Sequence, residues 1–151
     1  MHLRLSVARL FAAALAAWLL TTPARAATAQ SSTDLDALAE QYVRLVLAVG
    51  EHDPNLVDAY YGPPQWREEA LAHPQSLETL EANARHLVDQ LNAARPSDPL
   101  LERRRRSLHE QLVSVQTRLE ILRGQHLSFD EEARRIYGVA PPHHDDAFYL
   151  A

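Results

Sequence analysis

The chain has 151 residues, enough for one domain of ordinary size, and its 46% hydrophobic and 23% charged residues, with nine Pro and four Gly, exclude a collagen-like or wholly disordered polypeptide. It contains no Cys, which excludes disulfides, thiolate zinc sites, iron–sulfur clusters and a Cys nucleophile. It contains no Lys either, all fifteen cations being Arg, which excludes Schiff-base chemistry and a phosphate-loop lysine.

Residues 1–26 read as a secretory signal peptide. Arg4 and Arg9 form a basic start, Leu10 to Leu20 is an apolar run of eleven, and Ala24-Arg25-Ala26 is a cleavage site of small residues. A second cut is available at Ala27-Thr28-Ala29. The apolar run is shorter than the roughly 20 residues that span a bilayer, so no stable membrane anchor is expected after cleavage. Left uncleaved, the same segment would instead be a tether. Cleavage after Ala26 leaves twelve Arg against twenty acids, a net charge of −8. That balance argues against nucleic acid as a partner, because its binding is driven by phosphate neutralisation. The implied location is exported, periplasmic or secreted, in a bacterium.

Residues 27–32 (ATAQSS) read as a flexible leader, and residues 33–140 as a helical domain. Thr33-x-x-Asp36 carries capping chemistry, and Leu35, Leu38, Tyr42, Leu45, Val46 and Val49 recur at helical steps up to Gly50. Asp53-Pro54 predicts a second helix start, with Leu56, Val57 and Tyr60 on its stripe and Tyr61-Gly62-Pro63-Pro64 as its end. A short helix over Gln65–Ala72 turns Trp66 and Leu71 inward. Ser76 caps the next helix, with Leu77, Leu80, Ala84, Leu87, Val88 and Leu91 on one face. Asp98-Pro99 opens a long helix to Gly124 along Leu101, Leu108, Leu112, Val115, Leu119 and Leu122. Its stripe passes position 104 or 105, so one Arg there needs a partner near the core face. Ser128-x-x-Glu131 is a capping box ahead of Phe129, Ala133, Ile136 and Tyr137, with Gly138 as the stop. Residues 141–151 form a Pro/His/Asp-rich tail that resembles the first turns of a truncated helix. No segment alternates as a strand does. The fold class is therefore all-α, an antiparallel bundle of about five to six helices after the signal peptide.

The aromatic corner Tyr60-Tyr61-Gly62-Pro63-Pro64-Gln65-Trp66 is the candidate binding feature, Tyr60, Tyr61 and Trp66 having the apolar bodies and polar tips that wall a groove. The plain alternative is a rigid corner packed between helices. His109-Glu110 begins a zinc-hydrolase motif, but position 113 is Val where the second His belongs, so His109 reads as a helix-flank residue. Arg103 to Arg106 could meet an anion or lipid headgroup; a solvated helix face is the simpler reading. His143-His144-Asp145-Asp146 has donor atoms for a cation, yet adjacent His side chains diverge, and a loop leading into a helix start accounts for them. No catalytic residue, no metal ligand and no cofactor is assigned in this chain.

Several stretches carry a resemblance: Tyr42-Val43-Arg44-Leu45, Gly50-Glu51-His52-Asp53-Pro54, Val57-Asp58-Ala59-Tyr60-Tyr61-Gly62-Pro63-Pro64-x-Trp66, Leu127 to Arg134, and Tyr137-Gly138. Together they are similar to the amino-terminal region of an uncharacterised exported bacterial family of largely helical proteins, related to zinc-dependent carboxypeptidase-like proteins. Those proteins are several hundred residues long, with a metal site of the form His-Glu-x-x-x-Gly-His-His late in the chain. That element has no match here, so no metal ligand carries over. The resemblance implies a non-catalytic helical portion whose partner is a missing carboxy-terminal catalytic part. An apolar ending beyond Pro141-Pro142 fits a fragment. The alternative is a self-contained periplasmic binding module that uses the aromatic corner.

Overall fold

The computed structural model describes residues 24–150, so the basic start and apolar run of the signal-peptide reading lie outside the described residues. Within them the chain forms six helices and no strand: α1 (Ala24–Gly50), α2 (Pro64–Ala72), α3 (Leu77–Ala93), α4 (Pro99–Leu122), α5 (Phe129–Tyr137) and α6 (Asp146–Tyr149). The all-α reading holds.

The core is made by α1, α3 and α4. Leu35, Leu45 and Val49 of α1 meet Leu80, Leu87 and Leu91 of α3 and Leu112, Val115 and Leu119 of α4, all buried. These are the positions the helical periodicity selects. Leu47 and Ala48 are buried as well, although they lie off that stripe. On a further flank of α1, α2 packs and buries Ala70, and Ala48 borders the same cavity as Trp66 and Ala70.

Helix starts follow the expected chemistry at three places. Ser76 Oγ accepts from Thr79 N, Asp98 Oδ1 accepts from Leu100 N and Leu101 N, and Ser128 Oγ accepts from Glu131 N. Gly124 and Gly138 take φ of 94° and 75°, the left-handed turn that ends α4 and α5. The reciprocal arm of the Ser128 box goes elsewhere: Glu131 Oε2 pairs with Arg134 Nη1 at 2.6 Å.

Four expectations are corrected. α1 already includes residues 27–33, so Thr33 lies inside the helix and does not cap it; Ala and Gln in 27–32 are good helix formers. No helix follows Asp53-Pro54, and residues 51–63 form turns instead. Asp53 gives its side chain to Arg118 and Asn55, and a single turn closes with Leu56 N donating to Asp53 O at 3.0 Å. Gly50 ends α1 by allowing close approach: a Cβ there would stand 3.2 Å from Val57 Cγ2. In α2, Ala70 is buried while Leu71 is exposed, because Ala70 shares the inner face with Trp66, one turn away. Phe129 and Tyr137 of α5 are 74% and 77% exposed, because α5 rests on α4 alone, with Ala133 as its buried contact.

Arginines stitch the helices together. Arg105 is the inward Arg that the α4 stripe requires. It makes a two-pronged pair with Glu102 at 2.8 Å and donates to Leu91 O at the end of α3. Arg104 reaches Asp36 of α1, Arg123 reaches Glu81 of α3, and Arg135 of α5 reaches Glu120 of α4. The planar guanidinium suits the two-atom pairing of Arg105 with Glu102 better than an ammonium does.

Candidate functional site

The three rings of the aromatic corner have separate surroundings. Tyr60 folds back, its hydroxyl donating to Pro63 O at 3.0 Å while the ring packs at the core edge. Gly62 makes room for it, since a Cβ there would lie 2.6 Å from Tyr60 Cζ. Tyr61 is 96% exposed. Trp66 belongs to the α1–α2 contact, with the Arg44 guanidinium 4.7 Å from its ring centre. Arg44 is held there by Glu40 at 2.9 Å and by Glu69. Trp66, Arg44, Glu69 and His73 border a shallow cavity of about 450 Å³. Tyr60 and Tyr61 are not among the residues lining it.

The histidines of the sequence reading are likewise accounted for. His109 lies part-buried on α4, and Val113 sits beside it on the same cavity wall. His143 Nε2 lies 2.7 Å from Asp130 Oδ2 at the start of α5. His144 stacks on Phe148 at 3.7 Å, and Asp145 Oδ1 accepts from Phe148 N to cap α6. Among the described residues no three His, Asp or Glu side chains gather as a metal site would require.

A further concavity among the described residues is one that no sequence spacing marks. It is an open groove of about 510 Å³ at the carboxy-terminal end of α5. Tyr42 and Val46 of α1, Leu56 of the loop and Val113 of α4 supply its apolar walls, and Ile136 and Tyr137 of α5 close it. His109, Ser114 and Arg134 bring polar atoms to the same space. Its residues come from four separate segments, so the sequence offers no local signal for it.

One ion pair connects these parts. Asp53, 5% exposed, accepts from Arg118 Nε at 2.5 Å and from Asn55 N at 3.2 Å. The Arg118 hydrogen bond outweighs burial and holds the Asp53 carboxyl below its ordinary range, with Asn55 N–H assisting. Asp53 raises the Arg118 guanidinium in turn, and Glu132 and Tyr137 of α5 add smaller contributions. The pair therefore clamps the 51–63 loop to α4 beside α5.

Fold and site together define, among the described residues, an all-helical body with a partly apolar groove between α1, α4 and α5. No family model, no curated protein and no solved structure matches the chain.

Proposed function

We propose that the protein is an exported, non-catalytic helical body that works by docking, corresponding to the amino-terminal portion of a zinc-peptidase-like protein. One observation carries the docking part. Of the nine large apolar side chains exposed among the described residues, six (Phe129, Tyr137, Val139, Phe148, Tyr149 and Leu150) belong to α5 and the segment after it. Single exposed apolar residues are ordinary; a concentration of them on one helix and the segment after it marks a contact surface. The resemblance of residues 40–140 supplies the class of partner, a zinc-bearing catalytic portion that this chain does not itself contain. A self-contained module built on Tyr60, Tyr61 and Trp66 draws less support, because those rings face three different surroundings.

A polarity-sensitive dye tests this reading on dilute purified protein. Dye fluorescence is expected to rise on binding and to fall in a Phe129→Ser/Tyr137→Ser variant whose circular dichroism is unchanged. A native protein that leaves the dye dark, or a variant that binds it equally, overturns the docking surface. Stoichiometric zinc with peptide hydrolysis, both lost on chelation, overturns the non-catalytic assignment.

A further inference from the structure

Resting on that docking reading, we propose that the groove is occupied by α6 of a second copy of this chain, in a reciprocal two-fold pair. Three observations lead there. First, α6 packs on no other helix among the described residues, although it carries Phe148, Tyr149 and Leu150 in an exposed cluster. The cluster is ordered within itself: His144 stacks on Phe148, and Tyr149 stands edge-on to both. Second, the groove at the far end of α5 is apolar-walled and of a size that takes a few large side chains.

The third observation is placement. The 2.7 Å contact of His143 with Asp130 pins the segment before α6 to the amino-terminal end of α5, whereas the groove lies at its carboxy-terminal end. The nine residues of α5 separate the two by roughly 13 Å, at about 1.5 Å per residue, so a copy's own α6 is held away from its own groove. Antiparallel pairing of two α5 helices removes that separation, since it sets the amino-terminal end of each beside the carboxy-terminal end of the other.

The charges match the same geometry. α5 carries Asp130, Glu131 and Glu132 in its first turn and Arg134 and Arg135 in its last. Asp130 meets His143, Glu131 pairs with Arg134 and Arg135 with Glu120, and along the helix the acids still precede the bases. Set antiparallel, two such helices bring the acidic end of each to the basic end of the other; set parallel, they bring like charges together. Because plug and groove are both present on every copy, the contact is self-complementary and closes as a dimer.

Sedimentation equilibrium on the purified protein tests the pairing. A single monomer–dimer equilibrium is expected. A Phe148→Ser/Tyr149→Ser variant is expected to raise its Kd about tenfold or more. Those side chains touch no core residue, so the thermal melt should not move at dilute concentration. A Ser114→Trp variant, which fills the groove, should weaken the dimer as well. Mixing the two variants should yield a heterodimer tighter than either homodimer, because one plug and one open groove remain between them. Species larger than a dimer, or a dimer indifferent to both variants, overturn the pairing. A protein that stays monomeric while still binding the dye overturns the pairing and leaves the docking surface standing. A monomer that binds no dye overturns both.

Discussion

Asp53 and Arg118 stand 65 residues apart in sequence and meet at the joint between the α1 end, the following loop and α4. A buried carboxylate is tolerated there because Arg118 and the Asn55 N–H answer it. Its carboxyl is held below the ordinary aspartate value, about 3.9 in an unfolded chain. Between the lowered folded value and about pH 3.9 the unfolded chain therefore binds more protons than the native state. The contribution is complete above that window and lost as pH falls through it. Asp53→Asn is expected to cost about 1.5–3 kcal/mol at neutral pH, the range for a hydrogen bond to a charged group. Urea titrations from neutral to acidic pH should also show a flatter acid limb for the variant. Equal stability of variant and native protein at neutral pH would mean the pair holds nothing. This pair was beyond the reach of sequence reading: Asp53 beside Pro54 has the pattern of a helix cap, and nothing local announces an Arg so far along the chain.

At the scale of the elements, what proved legible is what depends on near neighbours. Ser76, Asp98 and Ser128 each cap a helix, because a short polar side chain bonds an N–H within three residues of itself. The Arg predicted to need a partner on the α4 stripe is Arg105, and it finds Glu102 one turn away. What depends on distant packing was not legible. Ala48 is buried beside α2, and the directions of Tyr60, Tyr61 and Trp66 are set by the Pro63 carbonyl, by solvent and by Arg44. Two substitutions probe the difference between core and periphery. Leu119→Ala, at a fully buried site between helices, should cost about 3–5 kcal/mol in chemical denaturation, whereas the exposed Leu71→Ala should stay within about 0.5 kcal/mol. Gly138→Ala places a Cβ at a φ of 75° and should cost about 1 kcal/mol, felt as fraying of α5. An unchanged α5 would show that the turn does not depend on the glycine.

Across the whole molecule, α1, α3 and α4 complete a core to which α5 adds one buried Ala and α6 adds nothing among the described residues. Helices held so lightly are the ones a docking event can order. The export reading is tested separately: mass spectrometry of the product from an exporting bacterial host should find Ala27 as the new amino terminus, and a retained first segment would count against cleavage. The division of labour within the fold has its own direct test in amide hydrogen exchange on dilute protein. Amides of α1, α3 and α4 around Leu45, Leu87 and Leu112 are expected to exchange only through global unfolding, while those of α5 and α6 exchange earlier through local opening. Protection of α5 and α6 equal to that of the core would contradict the account, because that end would then be part of a finished structure with no surface reserved for a partner.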